Sequence, residues 1–154
     1  MKRYCLGLFV VAALAFAWSA QSDAGGANKS ESKVKASVEA SKVDKDGKQT
    51  VTITLAIEKS WHLYANPVNH DFLEGAQTTV KIKGKASEVR VKYPEGKTHI
   101  DKNEKYDIYD GTVKIPVTLK RTVGDTSSLE ISITVQACDD KTCLQGSTIK
   151  LTVP

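Results

Sequence analysis

The stretch Gln49-Thr50-Val51-Thr52-Ile53-Thr54-Leu55-Ala56-Ile57 decides the fold class. Large apolar residues fall at every second position, Val51, Ile53, Leu55 and Ile57, with Thr52 and Thr54 on the other face. Successive side chains of an extended chain point to opposite faces, so this alternation describes a strand with one face buried and one wet. Valine, isoleucine and threonine also favour the pleated backbone because their branched Cβ restricts χ1.

The same period recurs outward from this strand. A first strand is read over 34–43, closed by the turn Asp44-Lys45-Asp46-Gly47. Further strands are read at 78–82 and 89–93, the latter ended by Pro94-Glu95-Gly96. Val113, Ile115, Val117 and Leu119 alternate, then Ile131, Ile133, Val135 and Ala137, then Ile149, Leu151 and Val153. Pro116 cannot donate to a ladder and points to an edge strand or a bulge. The polar stretch 97–107 has no clear period and reads as a long loop. No segment of the mature chain has a convincing helical period. The expectation is an all-β, immunoglobulin-like sandwich of about seven to eight antiparallel strands.

The 154-residue chain divides into three parts on composition. Lys2 and Arg3 precede the apolar run 5–17, and small residues follow it, the order of a secretory signal peptide over 1–24. The apolar run is shorter than the roughly 20 residues of a membrane span. A retained N-terminal anchor is the alternative. Residues 25–33, largely small and polar, read as a flexible linker, and the domain proper is expected over 34–154. Export places the domain in the periplasm or another extracytoplasmic space, where disulfides persist. The net charge of +4 includes Lys2 and Arg3, and the remaining lysines alternate with apolar residues as on a solvated sheet face. There is no basic cluster interleaved with aromatics, which argues against nucleic-acid binding.

Chemistry concentrates in Val135-Gln136-Ala137-Cys138-Asp139-Asp140-Lys141-Thr142-Cys143-Leu144-Gln145-Gly146. A strand runs into Cys138 and another leaves after Gly146, so the two cysteines flank a tight loop. Such a loop brings two Cα atoms within disulfide reach. Three readings of the pair stay open at this point. An accessible pair on a loop tip can exchange with another protein's thiol. A structural staple is the second, although closing so short a loop restricts the unfolded chain least. Metal binding with His62, His70 or His99 is the third, but nothing pairs at zinc-like spacing, and no metal or other cofactor is expected. Asp139 and Asp140 disfavour a thiolate at Cys138, whereas Cys143 lies farther from them and is favoured as the attacking or attacked sulfur.

Three stretches in order resemble the N-terminal periplasmic domain of the thiol:disulfide interchange protein DsbD, the disulfide-bond-corrector type of domain. Trp61-His62-Leu63-Tyr64-Ala65-Asn66 is similar to the aromatic segment beside that family's active site. Tyr93-Pro94-Glu95-Gly96, the segment 106–110 and Val113-Lys114-Ile115-Pro116-Val117-Thr118-Leu119 are similar to its central block. Residues 136–143 resemble its redox loop. The resemblance implies an immunoglobulin-like fold and electron relay without a cofactor. A separate membrane-embedded reductant would supply electrons, and thioredoxin-like periplasmic proteins would take them through a mixed disulfide. By position, Cys143 would form the mixed disulfide, Cys138 would resolve it, and Tyr64 would be their aromatic neighbour. A monomer is expected.

The departures from the pattern concern the cysteine loop and the cap over the sulfurs. The family's loop often has one more residue between the cysteines and a Tyr-Pro-Pro run after the second, where this chain has four residues between and then Leu144-Gln145-Gly146. The family shields its disulfide with an aromatic cap residue, and the corresponding stretch here, Ile100-Asp101-Lys102-Asn103-Glu104, has none. Shielding is therefore expected from Ile100 or Tyr106, with Asp101 in the cap loop and His99 near it. His62 stands where the family tends to have an aromatic residue; it is read as an exposed strand-face side chain or as a tuner of thiol pKa. His70 is placed in a loop with Asn69 and Asp71. The competing function is a non-catalytic immunoglobulin-like binding module with a structural disulfide.

Overall fold

The computed structural model describes residues 28–154. The leader assigned to 1–24, and residues 25–27 of the linker, lie outside the described residues. Eleven strands follow in chain order: β1 (Val34–Ala40), β2 (Lys48–Ile57), β3 (His62–Tyr64), β4 (Thr79–Lys83), β5 (Ser87–Val91), β6 (Lys97–Asp101), β7 (Glu104–Tyr109), β8 (Thr112–Lys120), β9 (Leu129–Val135), β10 (Ala137–Cys138) and β11 (Ser147–Val153). Two short 3₁₀ helices, Ser30–Lys33 and Asp71–Ala76, complete the described chain. The all-β, immunoglobulin-like expectation holds, with more strands than the seven or eight read from the sequence.

The strands form three antiparallel sheets, ordered β1-β2-β8-β5, β11-β9-β4 and β10-β3-β7-β6. The core lies between the first two. Val51, Ile53 and Leu55 of β2 and Ile115, Val117 and Leu119 of β8 meet Leu129, Ile131, Ile133 and Val135 of β9. Each buried aliphatic side chain contributes about 1.5–3 kcal/mol relative to leaving it in water. The alternation at 49–57 thus does what it implied: Val51, Ile53, Leu55 and Ile57 are buried, and Thr52 and Thr54 are half-exposed.

Pro116 departs from expectation. It lies in β8, an interior strand between β2 and β5, opposite Thr52. Its carbonyl accepts from Lys92 N–H at 2.9 Å, just beyond the end of β5. Its nitrogen faces the same side, so the missing N–H leaves no gap in the β2–β8 ladder.

The stretch 97–107 is a hairpin rather than a loop. β6 and β7 pair from Lys97↔Ile108 to Asp101↔Glu104. The two turn residues, Lys102 and Asn103, have φ of 45° and 75°, the left-handed pair that matches hairpin twist. Strands this polar give no alternation to read, because most of their residues face water.

The linker reading also ends earlier than expected. Ser30 is completely buried, and its hydroxyl donates to Gln145 O at 2.9 Å and accepts from Ala137 N–H at 2.8 Å. The ordered domain therefore includes residues 30–33, whose anchor is more than 100 positions away in sequence. The third sheet, β10-β3-β7-β6, adds Leu63, Tyr109 and Ala137 to the core and carries Cys138, which is bonded to Cys143.

Candidate functional site

The loop that carries the two cysteines is built by backbone bonds before its sulfurs are considered. After β9 the chain passes Gln136 and pairs again as β10, with Ala137 opposite Leu63 and Cys138 opposite His62. Asp139 N–H donates to Thr142 O at 2.9 Å, and Leu144 N–H donates to Ala137 O at 2.9 Å. The Asp139 carboxylate accepts from the Lys141 and Thr142 N–H groups at 2.8 and 2.7 Å. Those two bonds favour the ionised form and hold the Asp139 carboxyl below its ordinary pKa. The turn sets Cys143 opposite Cys138 as an antiparallel bridge. Their Cα atoms are 4.0 Å apart, and the sulfurs form a disulfide.

The two sulfurs are not equivalent. Cys138 is 2 % exposed and packs with Tyr64 and Val68. Cys143 lies on the exposed side of the loop. The Tyr64 hydroxyl stands 3.6 Å from Cys138 Sγ and 3.7 Å from Cys143 Sγ. Neither disulfide sulfur carries a proton, so the hydroxyl is the donor. Burial, with a smaller contribution from Asp101, raises the Tyr64 pKa, so the phenol stays protonated and able to donate.

An arc of rings extends from this hydroxyl across β3, β7 and β6. Tyr106 meets Tyr64 edge-on at 5.6 Å between centroids, the offset geometry that aromatic quadrupoles prefer. His99 lies 5.2 Å from Tyr106 and 5.4 Å from His62, and His62 meets Tyr64 edge-on at 6.2 Å. The register explains the grouping, because His99 pairs with Tyr106 across β6 and β7, and His62 and Tyr64 are two residues apart on one face of β3.

Of the residues singled out in the sequence, the fold brings Cys138, Cys143, Tyr64, His62, His99 and Tyr106 together. Asp101 reaches the arc through its field, acting on Tyr64 and Tyr106. Ile100 is left 70 % exposed on the hairpin; it follows His99 and so points to the other face of β6. The exposed reading of His62 is corrected. The side chain is buried, with His99 of β6 and Tyr64 of β3 packed about its ring. His70 begins the Asp71–Ala76 helix and pairs with Glu104 at 2.8 Å.

Two contributors had no usable signal in the sequence. Ser30 is one, since a single serine in a polar stretch says nothing of Ala137 and Gln145. The His70 ring is the other; it meets Tyr106 edge-on at 6.4 Å and extends the arc toward the exposed Phe72.

No curated protein matches the chain. Among solved structures, the N-terminal periplasmic domain of ScsB from Proteus mirabilis superposes with a TM-score of 0.60 at 18 % identity, over 77 % of this chain and 45 % of that one. The chain therefore spans less than half of that structure's length. The reduced DsbD N-terminal domain of Neisseria meningitidis gives a TM-score of 0.49 at 14 % identity, over 80 % of this chain and 86 % of that one. The GAE domain of GGA2p from Saccharomyces cerevisiae gives 0.50 at 12 % identity, over 79 % and 90 %. The ScsB and GAE likenesses speak to the fold alone, and a fold hosts many functions. Family membership rests on the sequence itself: residues 31–153 match the family described as thiol:disulfide interchange protein DsbD, N-terminal, and the chain belongs to that family.

Proposed function

We propose that this domain is an extracytoplasmic thiol–disulfide exchange module working through Cys138 and Cys143. The observation that carries the reading is the asymmetry of the pair: one sulfur exposed, one buried, and one phenol hydroxyl within reach of both. In the reduced domain, the Cys143 thiolate attacks a partner's disulfide and forms a mixed disulfide, and the partner's second sulfur leaves as a thiolate. Cys138 then attacks Cys143 Sγ, the bond to the partner breaks, and the partner departs reduced by two electrons. The Tyr64 O–H stabilises the thiolate forms, since a hydrogen bond to a charged acceptor is stronger than one to a neutral sulfur. The chemistry requires no cofactor.

The same geometry weighs against a purely structural disulfide. The turn is already closed by the Asp139–Thr142 and Leu144–Ala137 bonds, so the covalent link adds little order to it. The partners proposed are thioredoxin-like proteins that present a cysteine pair, with a separate membrane-embedded protein as reductant. The domain acts in the periplasm as a monomer, delivered by the leader over 1–24.

The deciding experiment equilibrates the purified domain against a glutathione series and reads free thiols by alkylation. Reversible exchange at a potential above about −300 mV is the expected result. A pair that resists reduction until the domain unfolds would leave the binding-module reading in its place.

A further inference from the structure

The relay reading assigns no role to His62, yet its position is unusual. It is the direct cross-strand partner of Cys138, and directly opposed side chains share a face with Cβ atoms about 5 Å apart. The residue is 7 % exposed, and its Nε2 is fully enclosed with no hydrogen-bond partner. An enclosed polar atom without a partner costs stability. In the oxidised domain the neighbouring Cys138 sulfur has no proton to offer. On reduction it becomes an S–H group, a donor on the residue paired directly opposite His62.

We propose that His62 is the general base that takes the Cys138 proton as the buried sulfur closes the disulfide. This rests on the exchange reading above and adds a residue to it. The step balances. The Cys138 S–H proton passes to His62 Nε2, and the sulfur's electron pair forms the bond to Cys143 Sγ. The bond from Cys143 to the partner breaks, and the partner sulfur leaves with that pair as a thiolate. The imidazolium then returns its proton to solvent or to the departing thiolate.

The groups facing His62 suit this task. His99 of β6 lies against its ring, Tyr64 flanks it on β3, and the carboxylates of Asp139, Asp140 and Asp110 act on it from the redox loop and from the end of β7. Burial first, and His99 second, hold the His62 pKa below its ordinary value, against the opposing pull of the three carboxylates. The ring is thus neutral and able to accept near neutral pH. The same carboxylates temper the cost of the imidazolium once it forms. Cys138, buried and beside Asp139, is disfavoured as a free thiolate, so it gains most from a base at hand.

The test separates the two steps of exchange. The reduced domain is mixed with a small aromatic disulfide that releases one coloured thiolate when Cys143 attacks and a second when Cys138 closes the ring. In the wild type the closing rate should level off above the imidazole range. His62→Phe, which keeps a ring in the site, and His62→Gln, which keeps a polar group, should slow closing by about tenfold or more at neutral pH. Their closing rates should keep climbing with pH as the bare thiol ionises, and the first release should stay within about twofold of wild type. Unchanged closing in both variants, or an equal fall in both steps, would overturn the assignment.

A wild-type domain that releases no coloured thiolate while folded would remove the exchange reading itself, and the base with it. Proton NMR gives a check that needs no substitution at His62. The His62 ring should titrate at different pH in Cys143→Ser and in the Cys138→Ser, Cys143→Ser double variant, because a thiol and its base titrate as a pair. Identical titrations would also overturn the proposal.

Discussion

The Tyr64 hydroxyl lies 3.7 Å from Cys143 Sγ, so a donor from an inner strand serves the exposed sulfur on the loop. Tyr64 belongs to β3, between β10 and β7, and its ring is held edge-on by Tyr106. Removal of the hydroxyl alone should therefore change chemistry more than fold. Tyr64→Phe is expected to raise the thiol pKa and slow exchange by about tenfold or more, since one hydrogen bond to a charged acceptor is worth about 1.5–3 kcal/mol. It should also make the domain a stronger reductant, because the dithiol loses more stabilisation than the disulfide. Stopped-flow exchange and a redox titration check both outcomes.

The difference in exposure between the sulfurs fixes which cysteine can be trapped. Cys138→Ser leaves the exposed Cys143 to form a mixed disulfide that nothing resolves, so covalent complexes should accumulate. Cys143→Ser leaves only a buried sulfur, so complexes should be absent. Non-reducing electrophoresis after incubation with a small disulfide or a thioredoxin-like protein distinguishes the two. Equal trapping by both variants would reverse or abolish the assignment of roles.

Asp139 ties the loop to pH. Its folded pKa is depressed by the Lys141 and Thr142 N–H groups. The stabilisation is therefore fully present above the ordinary carboxylate range and is lost as pH falls through the depressed folded value. The amide resonances of Lys141 and Thr142 should titrate with a midpoint below 3.8, the unshifted value. Asp139→Asn should remove that titration and leave the loop more open to proteolysis. A midpoint at or above the unshifted value would contradict the hydrogen-bonded turn.

Ser30 ties the segment before β1 to the cysteine loop. Ser30→Ala leaves the Ala137 N–H without its acceptor in a buried position, which costs about 1–3 kcal/mol. A chain shortened to begin at Val34 should lose at least as much in denaturant unfolding. It should also exchange amide hydrogens faster at Ala137, immediately before Cys138. Equal stability of the chain beginning at Val34 and one beginning at Asn28 would show that the 30–33 segment is dispensable.

The strands that make the core were legible wherever one face is buried against another sheet. Gln49–Ile57, Val113–Leu119 and Leu129–Val135 alternate because their inward residues leave water and their outward residues do not. β6 and β7 were not legible as strands. Thr98, Asp101 and Lys105 are exposed or half-exposed on a two-stranded rim, so no hydrophobic period marks them. Pro116 misled for a related reason: the side of the strand that its nitrogen faces depends on where β5 ends, which the local sequence does not state.

The sequence by itself determined the alternating core, the tight Cys138–Cys143 loop and the family pattern, since these depend on local period, local turn geometry and ordered motifs. Only the tertiary structure decided that Cys138 is buried and Cys143 exposed, that Tyr64 reaches both sulfurs, that His62 is enclosed against Cys138, and that Ser30 anchors the loop. Each of these comes from strands that meet across long stretches of chain. Their register is set by how the whole sandwich buries its apolar faces, and no window of sequence around any one of these residues contains that information.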